Sequence, residues 1–324
     1  MPTLKEITLP VSANLAEFNV LFAEVMHSDS PLLDKIVRYI LKRKGKQLRP
    51  LLVMLAAGLS GSINKSTYTA AILIELLHTA TLVHDDVVDE SDLRRGYFSV
   101  NALWKNKAAV LVGDYLLSKG MKTALEHKEY DVLQIVSDAV QNMSEGELLQ
   151  IKKSRTMNID EETYLTVIRQ KTASLIAACC SAGTASTNHD PVVIEKMKNF
   201  GENLGMAFQI KDDLLDFDLT NKTGKPAQND LKDRKFSLPL IFTLKNVGFT
   251  EKRHLIGIVK NHSTNKEKIA HLIHRIREEK GFEYTENRMN EYKNNALKIL
   301  SEFPDSPYKK SLENLVIFIT ERNY

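Results

Sequence analysis

The chain has 324 residues, 43% of them hydrophobic, with 44 basic and 41 acidic side chains and a net charge of +3. That is ample material for a large core, and it excludes a polycation built for bulk nucleic-acid binding. Glycine (14) and proline (9) are sparse, which suits long helices with few tight turns. The two cysteines, Cys179 and Cys180, are adjacent and too few for a disulfide framework; they read as small core residues in a reducing cytoplasm. Met1-Pro-Thr-Leu-Lys-Glu6 carries no basic stretch followed by an apolar one, so no signal peptide is expected. No apolar run reaches the roughly 18 residues of a membrane span, so no membrane anchor is expected either.

Residues 14 to 43 read as two amphipathic helices broken at Asp29-Ser-Pro31, with Pro31 in the first turn of the second and Ser30 as its cap. Arg43-Lys-Gly-Lys-Gln-Leu-Arg-Pro50 then forms a short basic loop. Arg43 and Lys44 suit the C-terminal end of a helix. Lys46 and Arg49 lie beyond the glycine, where a phosphate-binding loop explains them better.

Residues 65 to 90 form a helix whose apolar positions Ile72, Leu73, Leu76, Leu77, Ala80 and Val83 recur at buried-face spacing. It ends in His84-Asp-Asp-Val-Val-Asp-Glu90. Asp85 and Asp89 share a face, Asp86 lies about 100° round, and Thr81 and His78 sit one and two turns back on the face of Asp85. Gathered carboxylates are costly without a cation, and all-oxygen ligation points to magnesium, which bridges carboxylates to substrate phosphates. An acidic, solvated helix end would account for one such cluster. Phe208-Gln-Ile-Lys-Asp-Asp-Leu-Leu-Asp216 repeats the spacing after a second apolar helical run, with Leu204, Ala207, Phe208 and Leu215 on related faces. Two copies suggest two helices facing each other across a cavity that holds metal ions and a diphosphate.

Arg94 and Arg95 follow the first cluster and can grip phosphate bidentately. Residues 101 to 126 read as a buried helix, Gly113 permitting close packing and Asp114 a buried structural group. Residues 130 to 155 continue as helix; Glu147 and Gln150 reach either the cavity or the helix surface. Residues 160 to 187 open with the cap candidate Asp160 and carry Lys171-Thr172 in a small, apolar context. Beyond the second cluster, Thr220 to Lys235 is a basic loop punctuated by Gly224 and Pro226, a lid whose lysines could close over phosphates. Further amphipathic helices follow from residue 236, with turns near Gly248, Asn265 and Pro304. No stretch is dominated by strands and no linker is visible. The expectation is all-α: a single large helical bundle spanning 1–324 around a central apolar cavity.

From Gly45 to about Leu240 the motifs resemble, in order, those of the trans-prenyltransferases, the all-trans polyprenyl diphosphate synthases. Gly45-Lys-Gln-Leu-Arg-Pro50 is similar to the family's first basic loop, and His84 to Gly96 to its first aspartate-rich region. Lys171-Thr172 is similar to its mid-chain lysine motif, and Gly205 to Asp216 to its second aspartate-rich region. The resemblance implies that Lys46, Arg49, His78 and Arg95 hold the diphosphate of isopentenyl diphosphate. It implies that Arg94, Lys171, Thr172, Gln209, Lys225 and Lys235 hold the allylic diphosphate or face the developing charge. Asp85, Asp89 and Asp212 would be the main ligands of two or three magnesium ions, supported by Asp86, Asp213 and Asp216. It further implies a homodimer. Gln228 and Asp233-Arg234 depart from the family's lid, which carries a glycine and a Glu-Gly pair there, and Glu321-Arg-Asn-Tyr324 only partly matches its basic end.

Thr81 and Ala80 lie four and five residues before Asp85, about 6 to 8 Å deeper along the helix. Short-chain members of the family close the pocket there with a large aromatic residue. Two small residues imply a product of roughly six to ten isoprene units, with eight as the central expectation, at about 1.5 Å of helix per residue. A class I terpene cyclase would lack the basic loop at Lys46 and Arg49. An inactive regulatory subunit would have lost aspartates, and this chain keeps six. A farnesyl- or geranylgeranyl-length synthase is the remaining alternative.

Overall fold

The computed structural model describes residues 2–42, 45, 47–94, 96–156, 160–217, 236–261 and 265–322. Arg43, Lys44, Lys46, Arg95, the expected lid with Lys225, Gln228, Asp233, Arg234 and Lys235, and the terminal Tyr324 lie outside them. The described residues are helical almost throughout, as the composition predicts. The strands among them are Leu93–Arg94 (β1) and Tyr97–Phe98 (β2), an antiparallel hairpin just past the first aspartate cluster.

Short α1 (Leu4–Thr8) opens on a capping box between Thr3 and Glu6 and leads through a 3₁₀ turn into α2 (Ser12–Met26). α3 (Pro31–Leu41) starts at Pro31 as expected, but Ser30 makes no side-chain cap; its own N–H instead donates to Ser28 Oγ at 3.2 Å. α4 (Leu48–Ser60) begins inside the expected basic loop, so Arg49 stands in its first turn. Gln47 just before it is left-handed at φ 51°. A non-glycine residue there is strained, and reciprocal amide bonds with Asn19 hold it (Nε2 to Oδ1, 2.8 Å).

α5 (Lys65–Val88) is the central helix, capped by Asn64. It is long and apolar enough to cross a membrane by length and composition, contrary to the expectation that no such run exists. Its apolar residues are used inside the molecule: Ala70, Leu73, Ile74, Leu76 and Leu77 are all at most 3% exposed. It packs chiefly on α6 (Val100–Glu126). α6 is not the buried helix expected. Leu103, Val110, Leu111, Met121 and Leu125 are exposed along it, Leu111 at 68%, and the Asp114 side chain is 60% exposed. Gly113 does permit close packing: a Cβ there would stand 2.1 Å from His84 Nε2.

α7 (Tyr130–Thr156) precedes α8 (Glu161–Ile168), whose cap Asp160 accepts from Thr163 N–H at 2.8 Å as predicted. A π-helical turn, Arg169–Ala173, then joins α8 to α9 (Ser174–Ala185). Such turns concentrate at functional sites, because one extra residue re-aims the side chains. Here it carries Lys171 and Thr172. α10 (Pro191–Asp216) lies on α9 and on the π turn. Gly205 allows the approach, since a Cβ there would meet Ala173 Cα at 2.5 Å. α11 (Leu238–Asn246), α12 (Phe249–Asn261), α13 (Lys266–Glu278) and α14 (Gly281–Ser301) build a second apolar cluster around Leu240, Leu255, Leu272 and Ile276 against the end of α10. α15 (Pro307–Glu321) brings the C-terminus back beside α4 and α10.

Candidate active site

The two aspartate clusters stand at the C-terminal ends of α5 and α10. Lys171, on the π turn, is the link. Its ammonium pairs with Glu147 of α7 and donates to Gln150 Oε1 at 3.3 Å. Glu147 and Lys171 both act on the Asp85 carboxyl, while Lys171 also lines a cavity of about 250 Å³ with Gln150, Ser154, Tyr164, Thr172, Gln209, Asp213 and Phe236. Gln150 therefore lines the cavity, and Glu147 stands beside Lys171 and acts on Asp85.

Asp85 is half-buried, and Asp89 is exposed at the helix end, its N–H donating to Asp85 O at 2.8 Å. Burial pushes the Asp85 carboxyl above the ordinary carboxylate range, and the negative charge of Glu147 adds to this against Lys171 and Arg94. Asp86 points the other way, 3% exposed, and Arg94 Nε donates to its Oδ1 at 2.6 Å. Burial outweighs the guanidinium, so its carboxyl is also raised. Arg94, implied as a diphosphate ligand, is thus held by an aspartate.

At α10, Asp212 is 42% exposed and its Oδ1 pairs with Arg322, the residue that caps α15. The same guanidinium lies 4.5 Å from the ring centroid of Phe208, one helical turn before Asp212. Asp216 is half-buried. Asp213 is 4% exposed with donors on both oxygens: Tyr164 Oη at 2.7 Å on Oδ2 and Gln209 Nε2 at 3.0 Å on Oδ1. Thr172 Oγ1 donates in turn to Gln209 Oε1 at 2.9 Å.

His78 is buried on α5 at 9% exposure, two turns below Asp85. Arg49 lies within electrostatic reach of Cys179, as does Glu75, at the contact of α4 and α9. Burial drives the Cys179 thiol up to about 12, consistent with an inert core cysteine. Ala80 is 2% exposed inside the core and Thr81 is half-buried, its hydroxyl spent on His78 O at 2.9 Å. Lys46, Arg95, Lys225 and Lys235 lie outside the described residues.

Sequence reasoning missed Tyr164 and Arg322. Tyr164 shares a helical face with Val167 and Ile168 and looks like ordinary core. Arg322 had one signal, a cation at a partly matching basic terminus, and was given no contact.

The polyprenyl synthetase family model matches residues 30–276. The chain is 33% identical over 321 residues to octaprenyl diphosphate synthase of Escherichia coli (strain K12), covering 99% of each protein. The structure superimposes on a decaprenyl diphosphate synthase from Rhodobacter capsulatus with a TM-score of 0.92 and 31% identity, covering 99% of this chain and 100% of that one. It also matches a polyprenyl synthase from Caulobacter crescentus CB15, complexed with calcium and isoprenyl diphosphate, with a TM-score of 0.90 and 32% identity, covering 99% and 98%. Two aspartate-tipped helices, with Lys171 acting on the first and lining a cavity with Asp213 of the second, stand on a fold and a sequence that match over nearly their whole length, and the chain belongs to the polyprenyl synthetase family.

Proposed function

We propose that this chain is an all-trans polyprenyl diphosphate synthase of the medium- or long-chain type. It adds isopentenyl diphosphate head-to-tail to an allylic diphosphate. The observation that carries the reading is the pair of aspartate-tipped helices with Lys171 between them, beside a cavity lined by Thr172 and Gln209.

Magnesium fits the residues present. The accessible donors Asp85, Asp89, Asp212 and Asp216 are all oxygens, the set a hard dication takes. At the Asp85 carboxyl burial and Glu147 outweigh Lys171 and Arg94, and an added cation would offset them. Among the described residues no three His, Cys, Asp or Glu side chains converge on one point; in this reading the ion would be held from the two helix ends together. A dication held by these carboxylates would supply positive charge to the leaving diphosphate. The chain's own residues do the rest. Lys171 and Arg94 add positive charge once their carboxylate partners release them, and Arg49 and His78 hold the second diphosphate. The buried α5 face excludes water, which would trap the allylic cation. Small Ala80 and Thr81 leave the way open for a growing tail, which favours this reading over a farnesyl- or geranylgeranyl-length synthase. The exposed apolar side of α6, with Leu103, Val110, Leu111 and Met121, suits pairing with a second copy as a homodimer.

Product analysis tests the reading. With farnesyl diphosphate, isopentenyl diphosphate and magnesium, the expected product is a ladder ending near eight isoprene units. A stop at three or four units would keep the chemistry and overturn the length assignment. Ala80→Phe should shorten the product; an unchanged length would remove the tail from the Ala80 face of α5.

A further inference from the structure

Asp213 has the sequence position of a metal ligand and the surroundings of something else. It is 4% exposed, and each oxygen already carries a donor, Tyr164 Oη at 2.7 Å and Gln209 Nε2 at 3.0 Å. Tyr164 is itself 5% exposed, so neither contact is a passing surface one.

The hydrogen-bond inventory then fixes the direction of a whole chain of groups. A carboxylate only accepts, so the amide of Gln209 must turn its NH₂ to Asp213. Its carbonyl oxygen is thereby aimed at Thr172, whose hydroxyl proton is committed to it at 2.9 Å. Thr172 has one such proton, so what its hydroxyl has left on the wall of the Lys171 cavity is oxygen lone pairs. Reversing the amide would set its carbonyl oxygen against the Asp213 carboxylate and turn its NH₂ to Thr172, whose hydroxyl proton would then be free to face the cavity.

We infer that Tyr164 and Asp213 are positioning residues that lock the Gln209 amide with its carbonyl oxygen towards Thr172 and the cavity. Asp213 does this from α10 and Tyr164 from α8, on either side of the π turn that carries Thr172. The consequence, which rests on the synthase reading above, is that the Thr172 hydroxyl offers electron pairs to a positively charged substrate carbon and not a donor to a phosphate. Asp213 is then excluded from the metal shell, which leaves that role at this turn to the more exposed Asp212 and Asp216.

The test uses Tyr164→Phe, Asp213→Asn and the double variant Asp213→Asn/Gln209→Glu. Steady-state kinetics are read with farnesyl diphosphate, isopentenyl diphosphate and magnesium, and Mn²⁺ binding by electron paramagnetic resonance with inorganic diphosphate. Tyr164→Phe should lower kcat about tenfold, the worth of one well-placed hydrogen bond, with KM for the allylic substrate nearly unchanged. Asp213→Asn should lower kcat further while Mn²⁺ affinity stays at the wild-type value. In the double variant an amide at 213 donates to a carboxylate at 209, whose other oxygen still accepts from Thr172, so every bond and the polarity towards the cavity are restored. Its kcat should recover above that of Asp213→Asn. A tenfold or greater loss of Mn²⁺ affinity in Asp213→Asn would make Asp213 a ligand and overturn the inference. So would single variants that turn over like wild type, or a double variant no better than the single. A wild-type chain that binds Mn²⁺ but never elongates would instead overturn the synthase reading.

Discussion

The C-terminal turns of α5 and α10 are written with the same Asp-Asp-x-x-Asp and are finished differently. In both, the second aspartate turns inward and is buried, Asp86 at 3% and Asp213 at 4% exposure. Asp86 is met there by a cation, Arg94, delivered from the adjacent β1 strand. Asp213 is met by two neutral donors, Tyr164 and Gln209, from the walls of the cavity. The leading aspartates differ in the opposite sense. Among the described residues no side chain hydrogen-bonds Asp85, whereas Asp212 is held by Arg322. Repeating a motif repeats the backbone geometry of a helix end; what each carboxylate does is set by what the rest of the fold brings to it.

The largest effects should come from the two leading residues. Asp85→Asn and Asp212→Asn keep shape and remove charge, and each should lower kcat/KM by about 10²–10³-fold or more, the scale of losing one charge-stabilising group. A loss confined to one of them would break the symmetry between the turns at the level of chemistry, and steady-state kinetics of both variants decide it.

Next in size is the support of the first turn. A Cβ at Gly113 would collide with His84, whose Nε2 lies 3.2 Å from Val110 O and 3.5 Å from the Asp114 carboxylate. Gly113→Ala should cost about 1–3 kcal/mol through overpacking, read by chemical denaturation, and should displace the Asp85 turn because His84 is its neighbour in the chain. Gly205→Ala tests the corresponding contact of α10, whose obstacle is backbone and cannot swing away. It should cost more; the reverse order would mean that the α5–α6 contact is the stiffer of the two.

Asp86→Ala strips the first turn of its inward pair. Arg94 would be left without its carboxylate, but it is 35% exposed and can reach water, so the expected cost is about 1–3 kcal/mol and not the full penalty of a buried unpaired ion. Denaturant titration of the magnesium-free chain measures it.

The parts that could be read from the chain are those set by local chemistry. Apolar spacing gave α5 and α10, Asp160 was legible as a cap because a helix N-terminus asks for a side-chain acceptor, and Gly113 was legible as a contact. Ser30 looked equally like a cap and is not one, since Pro31 fixes the turn without it. The π turn left no trace in periodicity, because one extra residue between α8 and α9 merely shifts phase at Lys171. The outward apolar side of α6 read as burial, because composition records that a side chain is apolar and not what covers it. Tyr164 and Arg322 were invisible for a different reason: their partners lie 49 and 110 residues away, and nothing near them in sequence announces a carboxylate.

The smallest effect should separate the two leading carboxylates most directly. Arg322 sits on Asp212 Oδ1 and on the face of Phe208, so a dication reaching Asp212 meets a carboxylate already shared with a cation. At Asp85 the nearest cations act only at a distance. Arg322→Gln should therefore tighten Mn²⁺ binding in the presence of inorganic diphosphate by up to roughly fivefold, the worth of a partly exposed ion pair. An equal change in an Asp85→Asn background would place the gain at the second turn, where Arg322 stands. Weakened binding would instead mean that Arg322 serves Asp212 as a positioning partner, holding one oxygen so that the other stays aimed at the ion. The two aspartate turns would then differ in how their ligands are oriented and not in how they are shielded.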